Sequence, residues 1–163
     1  MIIRDAAETD LPAIVEIFNA AVRSRRATAQ LEPVLVAEKR SWFHQHSSSH
    51  PLWVAEEGGR IAGWLSFHPF LPRAAYRGTA EISVYIDEQF WRKGIGRAMV
   101  EKAIAHSSSI NLHTLVAGAF GHNEPSLCLF KKLGFERWGL LPHIARVDGI
   151  PRDLVIMGRQ VAN

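Results

Sequence analysis

The sequence predicts a mixed α/β protein that folds as one domain. The chain has 163 residues, a length that suits a single hydrophobic core. Its apolar residues switch between helical spacing and short β-type runs, in the order β-α-α-β-β-β-α-β-α-β-β. No internal repeat interrupts this order, and the serine triplets at 47–49 and 107–109 are short enough to be loops. We therefore expect one domain over residues 1–163.

The first half of the chain carries clear start and turn signals. Asp10 followed by Leu11 and Pro12 predicts a helix start, because an acid caps a helix and proline fits its first turn. Apolar residues then recur at helical spacing as far as Val22. The Gly58-Gly59 pair lies between two apolar runs and indicates a hairpin. The other elements predicted here are a strand over 1–5, a helix over 34–46, strands over 52–56 and 61–68, and loops over 19–33 and 69–78.

The second half begins with a strand over 79–86 and a turn over 90–96 that opens a helix ending near His106. Asn123 caps the last helix and Gly134 closes it. Cys128 falls inside that helix, and we expect it to be a small core residue and not a nucleophile. The remaining predictions are strands over 115–119, 137–144 and 154–161, with Trp53, Trp64 and Trp138 in the core.

The composition argues against several classes of protein. The net charge is +3, but the basic residues are scattered, so we expect no nucleic-acid partner. No apolar run approaches the ~18 residues of a membrane span, and we expect no secretory leader. Cys128 is the only cysteine, which excludes an internal disulfide and fits a cytoplasmic protein. Serines and a proline separate His44, His46 and His50, so we expect no metal.

The stretch Arg92-Lys93-Gly94-Ile95-Gly96-Arg97-Ala98 is the most informative in the chain. It follows a strand and opens a helix, so glycines let the backbone turn tightly while the helix start offers unpaired N–H groups to an anion. Three basic side chains add positive charge, and a pyrophosphate suits this combination. A tight turn with solvated basic residues is the alternative. A P-loop is a poor match, because the lysine and the hydroxyl residue do not stand in their P-loop positions. A dinucleotide-binding fingerprint is also a poor match, because its third glycine is absent here.

This turn resembles the coenzyme A signature of the GNAT superfamily of N-acetyltransferases. That signature places glutamine or arginine after a strand, then two residues, glycine, any residue, and glycine or alanine. Trp91 to Gly96 matches it, with Trp91 in the glutamine or arginine position. The second signature, asparagine followed by a helix ending in Gly-Phe, resembles residues 123–135. Phe130 stands there in the position where many members have tyrosine.

Within the superfamily, the chain resembles the phosphinothricin and methionine sulfone acetyltransferase branch over nearly its whole length. The resemblance implies a GNAT-like mixed, mostly antiparallel central sheet flanked by helices. It also implies acetyl-CoA as co-substrate, a small-molecule amine as acceptor, and a homodimer as in many members. The segments that carry it are Ile17-Phe18-Asn19, Glu32-Pro33-Val34, Trp42-Phe43, Arg73-Ala74-Ala75-Tyr76, Glu81 to Ile86, and the tail from Pro142 to Met157.

The resemblance assigns residues to each substrate. Those expected to contact the cofactor are Val84, Tyr85, Ile86, Arg92, Lys93, Gly94, Ile95, Gly96, Arg97 and Asn123. Those expected to border the acceptor are Leu71, Arg73, Tyr76, Glu81 and Ser83.

Acetyl transfer to an amine requires a base, because an aliphatic ammonium with a pKa near ~10 must first lose a proton. Glu81 is the candidate. By strand alternation it shares a face with Ser83 and Tyr85, and that face is either the cleft or solvent. Arg73 is either a donor to acceptor oxygens or a surface residue. Acetylation of a protein or peptide, and a coenzyme A-binding module with little catalysis, are the alternative functions.

Overall fold

The computed structural model describes residues 1–162. The elements follow the predicted order, with seven strands and four helices. The strands are β1 (Ile2–Asp5), β2 (Leu52–Glu57), β3 (Arg60–Pro69), β4 (Thr79–Ile86), β5 (Thr114–Phe120), β6 (Glu136–Val147) and β7 (Ile150–Gln160). The helices are α1 (Leu11–Ser24), α2 (Val36–His44), α3 (Ile95–Ser107) and α4 (Glu124–Lys132). The predicted domain end at residue 163 lies outside the described residues.

All seven strands form one sheet in the order β1-β2-β3-β4-β5-β7-β6. Neighbouring strands are antiparallel except β4 and β5, which are parallel. The β4–β5 ladder has only three residue pairs, from Thr79–Thr114 to Glu81–Val116. Beyond this ladder β4 and β5 continue without pairing with each other, so the sheet is split between them toward Ile86 and Phe120.

Two apolar cores lie on opposite faces of the sheet. Residues of α3 and α4 such as Met99 and Phe130 pack on one face, together with Ile82 of β4. Residues of α1 such as Leu11 and Ile14 pack on the other face, with Trp42 of α2 against them. The split between β4 and β5 therefore has an α3/α4 face and an α1/α2 face. No helix within residues 1–162 is long and apolar enough to cross a membrane.

The tail hairpin differs from the prediction. The strands were expected to stop at 144 and resume at 154, but β6 and β7 continue to a two-residue turn at Asp148 and Gly149. Both turn residues have positive φ, 52° and 78°, as a tight Asp-Gly hairpin turn requires. The Asp-Gly signal was present in the sequence and outweighs the weak β pattern around it. The Gly58-Gly59 turn, with φ of 59° and 75°, confirms the hairpin predicted there.

Three further expectations were wrong. Helix α1 runs to Ser24, so the first residues of the expected 19–33 loop are helical. Cys128 is exposed, because Phe130 and Leu127 set the buried face of α4 and Cys128 lies to one side of it. Trp138 is 45% exposed, because it lies on β6, which ends the sheet and pairs only with β7.

Candidate active site

The split leaves backbone groups of β4 without a strand partner on the β5 side. Asp87 donates its N–H to Ala62 of β3 at 2.9 Å. Because residues of an antiparallel pair alternate in direction, the N–H and C=O groups of Val84 and Ile86 point away from β3, into the split. Strand groups in this position can pair with an extended ligand. This geometry suits Val84 and Ile86, two of the residues expected to contact the cofactor.

The turn predicted to bind a phosphate opens a helix, as expected from the sequence. Gly94 has a φ of 78°, a conformation that favours glycine, and α3 begins directly after it. The N–H groups of its first turn, including those of Ile95 and Gly96, have no intrahelical acceptor. The capping residue is Gly94, which has no side chain to accept from them. Uncapped N–H groups together with the positive end of the helix dipole suit a phosphate.

The basic residues of the turn point outward. Arg92, Lys93 and Arg97 are exposed, and Arg92 has a φ of 63°. Arg97 pairs with Glu101 at 2.7 Å, while the Lys93 ammonium lies 4.8 Å from the ring centre of Phe90. Exposed basic side chains of this kind are free to rearrange around an anion.

Trp91, which replaces the glutamine or arginine of the signature, has a structural contact of its own. Its indole Nε1 donates to the carbonyl oxygen of Ile86 at 2.9 Å. This bond spans the turn between β4 and α3 and holds it closed. It uses one of the two lone pairs of the Ile86 carbonyl, so the other is left for a ligand.

The second signature is a helix start on the same face as α3. The side chain of Asn123 accepts a hydrogen bond from the N–H of Ser126 at 3.4 Å, so the predicted cap is present. Phe130 is 3% exposed and packs edge-on against Phe135. It supplies packing where other family members have a hydroxyl group.

On the α1/α2 face, Glu81, Ser83 and Tyr85 form the β4 wall of the split. Tyr85 packs with the α1/α2 core, and Ile82 is buried in the opposite core, which confirms the alternation. Glu81 is half-buried, and burial raises the pKa of its carboxyl group. No basic side chain within residues 1–162 contributes to this pKa shift. The carboxyl group of Glu81 is therefore partly covered by the protein and is not a fully exposed surface group.

The loop before β4 is open to solvent. Leu71, Arg73 and Tyr76 are all exposed, and the ring of Tyr76 packs edge-on against Phe70. The loop adjoins β4 just before Glu81, so these side chains lie next to the predicted acceptor region. These three side chains are exposed at the edge of the predicted acceptor region and are not buried inside it.

The loop after α1, the later part of the loop predicted over 19–33, covers the opposite end of this face. Its far end is held by Asn19, whose side chain exchanges two hydrogen bonds of 2.9 Å with the backbone of Val34. Its near end reaches β4, where the Tyr85 hydroxyl donates to the carbonyl of Ala27 at 3.4 Å. Burial raises the pKa of Tyr85.

His68 is a residue that the sequence reasoning missed. It lies directly opposite Glu81 in the β3–β4 register, and its Nε2 is 3.1 Å from Ser66 Oγ. Burial lowers the pKa of His68 to about 4, with a smaller contribution from the charge of His46. The imidazole next to Glu81 is therefore neutral near pH 7. The position of His68 opposite Glu81 follows from the strand register, which the sequence does not provide.

The fold and this two-faced split define the class of the protein as an acetyltransferase. The chain belongs to the acetyltransferase (GNAT) family, whose model matches residues 12–135. This finding confirms the family, the fold class and the N-acetyltransferase class predicted from the two signatures. Within residues 1–162, no three His, Cys, Asp or Glu side chains are placed to hold a metal ion.

Relatives place the chain more narrowly. YwnH of Bacillus subtilis, provisionally named a phosphinothricin acetyltransferase, is 45% identical over 99% of this chain and 100% of its own length. The L-methionine sulfoximine/L-methionine sulfone acetyltransferase of Pseudomonas aeruginosa is 34% identical over 95% of this chain and 91% of its own. The crystal structure of a phosphinothricin acetyltransferase from Sinorhizobium meliloti in complex with acetyl-CoA superposes with a TM-score of 0.93 at 29% identity, covering 99% of this chain and 88% of that one.

Proposed function

We propose that the protein transfers the acetyl group of acetyl-CoA to the amine of a small amino acid analogue, such as methionine sulfone, methionine sulfoximine or phosphinothricin. One observation carries this proposal: a half-buried carboxylate, Glu81, faces the side of the β4–β5 split opposite to the phosphate-binding turn. The names of the relatives point to the same acceptors.

The chain's residues have two tasks in such a reaction. Glu81 accepts a proton from the acceptor ammonium, directly or through water, and its raised pKa brings the carboxylate nearer to the operating pH. The backbone N–H groups of β4 that point into the split stabilise negative charge on the carbonyl oxygen. Acetyl-CoA, when bound, supplies the activated acetyl group. No covalent enzyme intermediate is needed, because the amine attacks directly.

The cofactor contacts follow from the geometry of the split. We assign the pantetheine arm to the backbone of Val84 and Ile86, with Tyr85 between them, and the pyrophosphate to the helix start at Gly94 to Arg97. Arg92 and Lys93 add charge around it, and Asn123 borders the far side. Supporting this assignment, the α3 start is uncapped and the β4 backbone is unpaired on that side.

The acceptor's polar side-chain group is assigned to the loop before β4. Arg73 offers a rigid fork of donors and Tyr76 an aromatic wall, so together they suit a strongly dipolar sulfonyl or phosphinyl group. Leu71 and Ser83 complete the border. Both arginine and tyrosine are exposed and free to move toward an acceptor.

A steady-state assay of thiol release from acetyl-CoA tests the acceptor. We expect L-methionine sulfone to exceed L-methionine and a lysine peptide in kcat/KM, and Arg73→Ala to remove most of that advantage. Arg77→Ala, in the same loop, is the matched control and should keep the ranking. If the peptide reacts fastest, protein acetylation replaces the proposed acceptor. If Arg73→Ala keeps the ranking, Arg73 does not bind the sulfone group.

We also propose a homodimer and a cytoplasmic location. The homodimer is suggested by apolar side chains along the free edge of β6, discussed below. A cytoplasmic location suits an enzyme that uses acetyl-CoA and carries a single exposed cysteine.

A further inference from the structure

One buried donor, Arg152 Nε, lies near a buried ring nitrogen of His122 at one end of the acceptor face. Arg152 Nε and His122 Nε2 are both buried, and neither has a hydrogen-bond partner within residues 1–162. The two side chains are close enough that the positive charge of Arg152, after burial, lowers the pKa of His122. Arg26 also lowers this pKa. We call Arg26, His122 and Arg152 the cationic corner.

Strand geometry places the cationic corner on the α1/α2 face of the split. His122 follows β5, and its ring stacks on Phe120 with centroids 5.6 Å apart. Leu154 of β7 pairs with Phe120, and Arg152 lies two residues before Leu154 on the same strand. By alternation, the side chains of Arg152 and Leu154 therefore lie on the same face of the sheet as Gly118 and Phe120. The phosphate-binding turn belongs to α3, on the other face. A cofactor phosphate held at the α3 start is therefore not the group that this corner serves.

The loop after α1 connects the corner to the β4 wall. It contacts Tyr85 through Ala27, and two residues earlier Arg25 pairs with Asp148 in the β6–β7 turn at 3.2 Å. The two acids at this end of the hairpin are already engaged, since Asp148 pairs with Arg25 and Asp153 accepts the backbone N–H of His143 at 2.8 Å. The positive charges of the corner are those of Arg26 and Arg152, and no carboxylate within residues 1–162 forms an ion pair with either.

We propose that Arg152, lined by His122 and Arg26, binds the carboxylate of the amino acid acceptor. This inference rests on the proposed function and extends it to the recognition of the amino acid backbone. A buried, unpartnered donor is costly, and a guanidinium meets a carboxylate with charge-assisted, paired hydrogen bonds. The exposed Arg73 suits a hydrated dipolar group, whereas Arg152, which is partly buried and has a buried Nε, suits a full negative charge. The acceptor then lies between the two ends, across the Glu81 wall.

The kinetic test compares L-methionine sulfone with 3-(methylsulfonyl)propan-1-amine, which has the same amine and sulfone and no carboxylate. We expect the wild type to prefer the amino acid by about 10- to 100-fold in kcat/KM, as loss of charge-assisted bonds implies. Arg152→Met should lower kcat/KM for the amino acid to the level of the amine and leave the amine unchanged. Arg152→Lys, which keeps the charge, should retain part of the preference. Arg23→Met, an exposed arginine paired with Glu16, should behave as the wild type.

A direct binding measurement separates this inference from the proposed function. Calorimetry with L-methionine sulfone in the presence of coenzyme A should show affinity at least about tenfold weaker in Arg152→Met. Turnover without a carboxylate preference, equal losses for both acceptors in Arg152→Met, or unchanged affinity would overturn the carboxylate site alone. Loss of only the sulfone preference over L-methionine would reassign Arg152 to the side-chain group. Absence of thiol release with every amine would overturn the proposed function, while the binding measurement still decides the site.

Discussion

Glu81 shows how far a single residue can be interpreted from the sequence. Strand alternation correctly placed it with Ser83 and Tyr85 on one face, opposite Ile82. It could not decide whether that face was solvent or cleft, because the answer depends on α1, α2 and the loop after α1, which cover the face through long-range contacts. Arg152 and His122 were missed for the same reason: the hairpin turn and the β5–β7 register bring them together, and neither was predicted.

At this scale the sharpest prediction concerns the base. Glu81→Gln removes the proton acceptor, so we expect kcat to fall by about 100- to 10,000-fold, with acetyl-CoA affinity nearly unchanged. Because only the carboxylate accepts a proton, wild-type kcat/KM should fall as the pH drops through the raised pKa of Glu81. That limb of the profile should vanish in the variant. Glu88→Gln, on an exposed turn, is the control. Wild-type turnover and pH profile in Glu81→Gln would assign the proton to another group or to water.

At the scale of elements, the sequence predicted all eleven in order because apolar periodicity and turn residues are local signals. The bounds of β4 agree with the prediction, whereas β6 and β7 were cut short where their pattern weakens. The split between β4 and β5 was not predicted from periodicity, since a parallel ladder of three residue pairs leaves no mark on either strand.

The start of α3 gives a prediction about cofactor binding. A Cβ at Gly96 would meet Leu129 at 3.5 Å and Ile86 at 3.6 Å, which are ordinary contacts, so Gly96→Ala should fold normally. Gly96→Glu places a carboxylate at the uncapped N–H groups and should repel the pyrophosphate. Calorimetry should show that Gly96→Glu binds acetyl-CoA at least about tenfold more weakly than Gly96→Ala does. Equal affinity in the two folded variants would move the phosphate site elsewhere.

The β3–β4 pair that presents Glu81 gives a prediction about stability. At Gly63 an added Cβ would lie 2.8 Å from the carbonyl oxygen of Tyr85 and 2.5 Å from Ile86 Cδ1. The two strands must separate to admit it, so Gly63→Ala should destabilise the fold by about 1–3 kcal/mol. Gly139→Ala, whose nearest contact would be 3.8 Å, is the matched strand control and should change little. Urea unfolding measures both, and equal midpoints would contradict the packing argument.

At the scale of the whole molecule, the sheet ends in two different edges. β1 forms one edge and is short, whereas β6 forms the other and is twelve residues long. A long apolar edge strand is normally covered, because its unpaired groups and apolar side chains favour association. Five apolar residues on β6 and at the start of β7 are each at least 42% exposed, and we call them the β6 patch: Trp138, Leu140, Leu141, Ile144 and Ile150. The sequence did not reveal them, since exposure follows from the position of β6 in the sheet.

The patch predicts that two copies of the chain associate through the β6 edge. A symmetric dimer brings the same patch of both copies together and so covers it. Ile144→Lys puts a charge into this contact. In the single chain the Ile144 side chain is 63% exposed, so the fold itself should tolerate the change. Sedimentation equilibrium should give twice the 18.2 kDa chain mass for the wild type and a shift toward one chain mass for Ile144→Lys. Ile2→Lys is a matched control, because Ile2 is also 63% exposed but lies on β1 at the opposite edge, and it should leave the dimer intact. A wild type that sediments at one chain mass, or a control that dissociates as readily as Ile144→Lys, would show that β6 does not hold two copies together.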